Sequence, residues 1–176
     1  MENNRNQPNK VVVSAILEKM IKDKLYIFIQ TRWKPQTSPT YTGMLEIPAG
    51  GVEPYENIYD AVCREVKEET GLTVTKFINN FESEISENRI GDKNHVFSPF
   101  ICQQSLKTKG GLPWVGLVFR CQVTGEIIPQ KEEVRDPRWI NIDELKDLLE
   151  KHSETIFPLQ YPVLKYYLDN IKKSKS

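Results

Sequence analysis

The sequence predicts an α/β (α+β) fold in which a mixed β-sheet is sandwiched between helices. Three observations carry this expectation. Apolar, β-branched runs of strand length recur along the chain, separated by polar or glycine-containing turns. Residues 57–71 switch to helical periodicity, and two further helical patterns close the chain. At 176 residues with 39% hydrophobic content, the chain has the length of one domain and can bury an adequate core without a disulfide or structural metal.

The elements follow in order. Residues 1–10 are polar and read as a mobile start. Val11–Leu17 and Leu25–Ile29 are two strands, and Lys22-Asp23-Lys24 between them makes an exposed turn, so a hairpin is expected. Trp33–Gly43 holds two prolines, four serine or threonine residues and no periodicity, which marks a long loop with Trp33 and Tyr41 near its ends. Leu45-Glu46-Ile47-Pro48-Ala49-Gly50-Gly51-Val52 is a short strand running into a loop bounded by proline and glycine. A helix then starts at the Asn57 cap and stops at Gly71, with Ile58, Ala61, Val62 and Val66 at helical spacing. Leu72–Val74, Val96–Ile101, Trp114–Val123 and Trp139–Ile142 return to strand character. Asp143 opens a helix to about Lys151, and an amphipathic helix runs from Pro162 to Ile171 before a basic tail.

Composition excludes several function classes. The 24 Lys+Arg balance the 24 Asp+Glu, so no long-range field gathers a phosphate backbone, and a nucleic acid polymer is not the expected partner. No stretch approaches the roughly 18 apolar residues of a membrane span, so a cytoplasmic protein without a membrane partner is expected. Cys63, Cys102 and Cys121 are odd in number and widely spaced, and read as reduced core residues. His95 and His152 stand alone without zinc-ligand spacing. There is no G-x-x-x-x-G-K-[ST] loop, G-x-S-x-G elbow or H-E-x-x-H pair.

The first helix breaks its own pattern. On a wheel of about 100° per residue, Glu65 and Glu69 fall within the arc set by Ile58, Ala61, Val62 and Val66, with Glu68 at its border. A run such as Arg64-Glu65-Val66-Lys67-Glu68-Glu69 is ordinarily a solvated face, but a solvated run should lie opposite the apolar arc. Two like charges at i and i+4 repel unless a cation joins them, and hard Mg²⁺ or Mn²⁺ takes carboxylate oxygens.

Gly50, Glu56, Arg64-Glu65-Val66, Glu68-Glu69 and Gly71-Leu72, at their spacing over 23 residues, resemble the signature box of the Nudix hydrolases. Seven fixed and two aliphatic positions make a chance match on the order of one in a billion per start site. The resemblance implies a Nudix-type α/β/α sandwich over residues 11–153, followed by a helical extension and basic tail over 154–176.

By the same resemblance, Glu65 and Glu69 are the main metal ligands, Glu68 joins them, and the Ala49 carbonyl adds a backbone oxygen. Mg²⁺ is the implied metal, with Mn²⁺ as the alternative. Gly50 and Gly51 are expected to let the backbone approach substrate closely and to adopt positive φ. Glu56 pairs with Arg64, which then holds a carboxylate in place. The general base comes from the helix glutamates Glu68 and Glu69 or from the loop ahead of Trp139, where Glu133 and then Glu132 are the candidates. Trp33, Tyr41 and Trp114 could stack on a base, although the area an aromatic buries favours packing in the core.

The implied reaction is attack of water on one phosphorus of a nucleoside diphosphate linked to a moiety X. Pro48-Ala49-Gly50-Gly51 resembles the leader of ADP-ribose and nucleotide-sugar pyrophosphatases more than the Pro-Gly-Gly of triphosphate enzymes. Against this, Glu87 and Asn88 stand where ADP-ribose enzymes commonly carry a proline. The alternatives are a nucleoside triphosphate pyrophosphohydrolase that cleanses the pool and a catalytically silent sensor of a small nucleotide. Many nucleotide-sugar members are dimers, so the resemblance also implies a homodimer.

Overall fold

The computed structural model describes residues 9–78, 82–109, 113–129 and 132–171. The polar start before Asn9 and the basic tail after Ile171 lie outside these residues. Strand β1 (Lys10–Ile21) begins at Lys10, inside the segment expected to be mobile, and turns into β2 (Lys24–Arg32). The two-residue turn places Lys22 and Asp23 at φ of 46° and 63°. That is the handedness a tight hairpin requires.

The remaining strands are β3 (Leu45–Glu46), β4 (Ala49–Gly51), β5 (Thr73–Phe77), β6 (Glu84–Glu87), β7 (Lys93–Val96), β8 (Ile101–Gln104), β9 (Trp114–Thr124) and β10 (Val134–Asn141). Three α-helices accompany them among the described residues: α1 (Ile58–Thr70), α2 (Ile142–Lys151) and α3 (Tyr161–Ile171). The main sheet runs β10-β2-β1-β9-β5, with β3 on β2, β4 on β1 and β8 on β9. Among the described residues β1 and β9 are the strand pair that runs in parallel there, which makes the sheet mixed; β6 and β7 form a separate hairpin.

Period-2 alternation sends successive side chains to opposite faces. Ile16, Ile27, Ile29, Val118 and Ile140 point to one face, where Leu145 and Leu149 of α2 and Val163, Leu164 and Tyr167 of α3 cover them. Ala15, Leu17, Phe28 and Phe119 point to the other, under Ala61, Val62 and Val66 of α1. The expected α/β/α sandwich is therefore present. Helix α3, assigned by sequence to an extension, is part of the first of these core layers.

Some expectations need correction. Of the strand expected over Val96–Ile101 only the two ends are strand: β7 finishes at Val96, β8 starts at Ile101, and Pro99 between them has no N–H to give a ladder. Strand β10 starts well ahead of Trp139 and absorbs Pro137 at a bulge, where Asp136 takes φ 47°. The Ala49–Gly51 segment is a strand and not a loop, and neither Gly50 nor Gly51 has positive φ. Of the three cysteines, all free thiols, only Cys121 is buried; Cys63 is half-buried and Cys102, on β8, is exposed.

Strands β1 and β2 pair only where Glu18–Ile21 meets Lys24–Ile27. Beyond that point they fork. Strand β4 takes the free edge of β1, with Val13 opposite Gly50, and β3 takes that of β2, with Gln30 opposite Glu46. The chain between them is tied down by the Ala15 N–H, which donates to the Pro48 carbonyl at 2.9 Å. Helix α1 lies against this fork, capped by the Asn57 side chain at Tyr59 N–H and ended by Gly71 at φ 77°.

Candidate active site

The fork gathers carboxylates from two elements, α1 and β3. Glu69 of α1 is only 3% exposed. Its Oε2 accepts hydrogen bonds from Gln30 Nε2 at 2.8 Å and from the Ala49 N–H at 3.2 Å. Glu65, one turn earlier, faces Gly50 so closely that a Cβ there would overlap its carboxylate. Close approach is therefore what demands glycine at position 50, not a left-handed backbone. At Gly51 an added Cβ would meet only the end of the flexible Lys10 side chain. Glu46, 3% exposed on β3, pairs with Arg32 Nη1 at 3.0 Å.

Arg64 ties several elements together. Its Nε and Nη2 each donate to a Glu56 carboxylate oxygen at 2.8 Å. Nη1 donates to Glu65 at 2.7 Å, and Nη2 also donates to the Gly51 carbonyl at 2.9 Å. The planar fork thus fixes the loop before α1, strand β4 and Glu65 together. Those hydrogen bonds hold the Glu56 carboxyl below its usual range.

The buried acids shift the other way. Burial, then the like charge of Glu46, pushes Glu69 up to about 8. Burial also raises Glu46 despite Arg32, and Glu65 despite Arg64. Two oxygens in this cluster, Glu46 Oε1 and Gln30 Oε1, are buried without a hydrogen-bond partner among the described residues. Buried, unpaired oxygen is costly, and hard cations are the partners such oxygens suit.

Not every candidate converges. Glu68 is 54% exposed and turned along the helix toward Arg64 Nη1 at 3.4 Å. As the side chains stand, no three carboxylate, imidazole or thiol groups among the described residues meet around one point. Glu133 is drawn in by Lys34, whose Nζ lies 2.5 Å from its Oε2 and 3.9 Å from Glu69 Oε1. Glu132 is exposed. Trp33 is covered by the Arg135 guanidinium, 3.3 Å above its ring, and lines neither cavity described below.

Two adjoining cavities open over the fork. The inner, about 220 Å³, is lined by Glu46, Ala49, Gly50, Gly51 and Lys34; the outer, about 470 Å³, by Tyr41, Thr37, Ser38, Thr40 and Lys109. Lys10, Arg32, Trp114 and Phe157 line both. Core packing is thus not the role of Tyr41 or Trp114: both are half-buried at the cavity wall, with Tyr41 edge-on to Phe157 at 5.1 Å. His95 lies against Tyr59 and Phe97, and His152 is exposed.

The sequence reading missed Gln30, Arg32, Lys34, Glu46, Phe157 and Gln160. A signal existed for one of them. Gln30 sits two residues beyond Phe28 on the same strand face, so it is a polar residue at a position periodicity buries, whereas Glu46 between Leu45 and Ile47 falls where alternation places an exposed residue. Lys34, Phe157 and Gln160 come from loops and carry no such signal.

A NUDIX domain model matches residues 8–160. The NAD-capped RNA hydrolase NudC of Pseudomonas syringae pv. syringae (strain B728a) is 30% identical over 118 residues, covering 63% of this chain and 32% of that protein. Homo sapiens NUDT12, also named an NAD-capped RNA hydrolase, is 31% identical over 121 residues, covering 65% and 20%. The chain thus spans about a third or less of the length of these relatives. Among solved structures, the NUDIX domain of Shewanella oneidensis NrtR complexed with ADP ribose aligns with a TM-score of 0.64 at 11% identity, covering 100% of this chain and 94% of that one. The MutT protein of Methanosarcina mazei Go1 aligns at 0.63 with 19% identity, covering 96% and 98%. These two likenesses are of fold alone. With the box geometry assembled at the fork and the family model spanning most of the chain, the protein belongs to the Nudix hydrolase family.

Proposed function

We propose that the protein is a divalent-metal-dependent pyrophosphohydrolase that cleaves the diphosphate of a small nucleoside diphosphate-X substrate, with ADP-ribose or another nucleotide sugar foremost. The observation that carries this reading is the pair Glu65 and Glu69, turned from one helix face into the fork and pressed against Ala49 and Gly50. Their oxygens, with the unpartnered Glu46 Oε1 and Gln30 Oε1 in the same cluster, fit a hard divalent cation such as Mg²⁺ or Mn²⁺. When bound there, such a cation offsets charge on phosphoryl oxygens and lowers the pKa of a coordinated water.

The chain's own groups do the rest. Arg64 fixes Glu65 and the Gly51 carbonyl, so the helix and strand β4 keep their spacing. Gly50 lets the strand backbone lie directly on the Glu65 carboxylate. Lys10, at the junction of the two cavities, suits a diphosphate bridging them. Glu133, held at the rim by Lys34, is the candidate to take a proton from attacking water, with Glu132 and Glu68 further out. Tyr41, Trp114 and Phe157 offer ring faces, and Thr37, Ser38 and Thr40 offer hydroxyls to a ribose or sugar.

A second reading rests on the relatives. NudC and NUDT12 carry a name that specifies an NAD cap on RNA, and an NAD-type dinucleotide has the same diphosphate core. That reading would admit the end of a nucleic acid, which neutral net charge argued against. Incubation with Mg²⁺ and a panel of ADP-ribose, nucleotide sugars, NAD, NAD-capped RNA and nucleoside triphosphates, with products separated by chromatography, tests both. Nucleoside monophosphate plus sugar phosphate is the expected outcome. Preferential cleavage of NAD or capped RNA would favour the second reading, and pyrophosphate release the triphosphate one. A nucleotide that stabilises the fold yet survives intact would favour a sensor.

A further inference from the structure

The cations around the fork are unequally committed. Arg64 is spent on Glu56, Glu65 and the Gly51 carbonyl, and Arg32 on Glu46, with its guanidinium carbon 5.2 Å from the centre of the Phe157 ring. Lys34 alone faces Glu69 and Glu133 together, at 3.9 and 2.5 Å, and its field also acts on Glu46 and Glu65. Its side chain is 21% exposed and lines the inner cavity beside Ala49 and Gly50. An ammonium on a four-carbon stem is a point charge that can swing, unlike the planar guanidinium of Arg64.

We propose that Lys34 is a tethered counter-ion of the metal site: its ammonium pairs with Glu133 and stands beside Glu69 in the metal-free protein, and gives way when a divalent cation enters. A cation and an ammonium sharing Glu69 repel at this range, so binding one weakens the other. Once released, the ammonium remains within the inner cavity, where a diphosphate would lie, and exchanges its carboxylate partners for phosphoryl oxygens. Lys34 would thereby couple metal entry to anion binding, with no covalent step involved. This inference rests on the metal-dependent reading above.

The test is binding of Mn²⁺ alone, followed by electron paramagnetic resonance of the free ion, to the wild-type chain and to Lys34→Met, Lys34→Gln and Lys34→Arg. Circular dichroism melts establish that each variant is folded. Removing the charge in Lys34→Met or Lys34→Gln is expected to tighten Mn²⁺ binding by about tenfold, with Lys34→Arg near wild type. A parallel titration with ADP-ribose in Ca²⁺ is expected to show weaker nucleotide binding in the two neutral variants. Unchanged or weaker Mn²⁺ binding in both neutral variants would overturn the proposal and leave the metal-dependent reading standing. Failure of the wild-type chain to bind Mn²⁺ at all would overturn both.

Discussion

The side-chain amide of Gln160 brackets the Ile47 peptide: Nε2 donates to the Ile47 carbonyl at 3.0 Å, and Oε1 accepts the Ile47 N–H at 2.7 Å. Ile47 stands between β3 and β4, where the chain leaves one arm of the fork for the other and its backbone has no strand neighbour. The Phe157 N–H donates to the Leu45 carbonyl at 2.8 Å, and Ile156 bridges Leu45 in parallel. Residues 156–160 thus run beside 45–47 as a substitute strand, and both Ile47 and Gln160 are buried. Gln160→Ala is expected to cost about 2–4 kcal/mol, because it leaves a buried donor and acceptor unpaired. Urea denaturation checks this, and a change under about 0.5 kcal/mol would mean that water replaces the amide freely.

Buried acids should also give the metal-free protein an unusual pH dependence. Glu69 moves from 4.5 to about 8 on folding, so the folded state binds its proton more tightly than the unfolded state does. The stability this contributes is fully present below the unfolded value and is lost as pH rises through about 8. Glu46 and Glu65 shift in the same direction, and Glu56 opposes them. In chelator, Tm is expected to fall between pH 5 and pH 8, and the fall should be shallower in Glu69→Gln. Melting curves at three pH values decide it; equal slopes for the two proteins would contradict the burial of an ionising Glu69.

The β1–β2 turn holds two non-glycine residues, Lys22 and Asp23, at positive φ. Left-handed backbone is costly for a lysine and least so for glycine and asparagine. Replacing Lys22-Asp23 by Asn-Gly matches the turn's demand and should stabilise the fold by about 1 kcal/mol, or roughly 2–4 °C in Tm. The turn lies at the paired end of the hairpin, away from the fork, so turnover is expected to be unchanged in the same preparation.

Periodicity reveals those parts of this molecule that repeat. Strands β1, β2 and β9 are long enough to alternate between two cores, and α1 announced both its caps and its two misplaced carboxylates. Strands β3 and β4, two and three residues long, have no period to read, which hid the fork and the true reason for Gly50. The pairing of Glu56 with Arg64 was expected from the resemblance of the box, not from spacing within one helix. No pairing was legible for Lys34 and Glu133 or for Gln160 and Ile47, which meet only once the sheet has formed. The aromatics misled for a physical reason: Tyr41 and Trp114 are only partly exposed, against a cavity wall, an arrangement composition cannot distinguish from a core.

The most direct measurement is turnover of the panel's best substrate at saturating Mg²⁺ by wild-type protein and Glu69→Gln, with Mn²⁺ binding followed on the same samples. Glutamine keeps the size of the side chain and removes its charge. A loss of at least about 100-fold in kcat/KM together with weakened Mn²⁺ binding is expected. Turnover within about twofold of wild type, with Mn²⁺ still bound, would contradict the assignment of Glu69 to the metal site and with it the proposed mechanism.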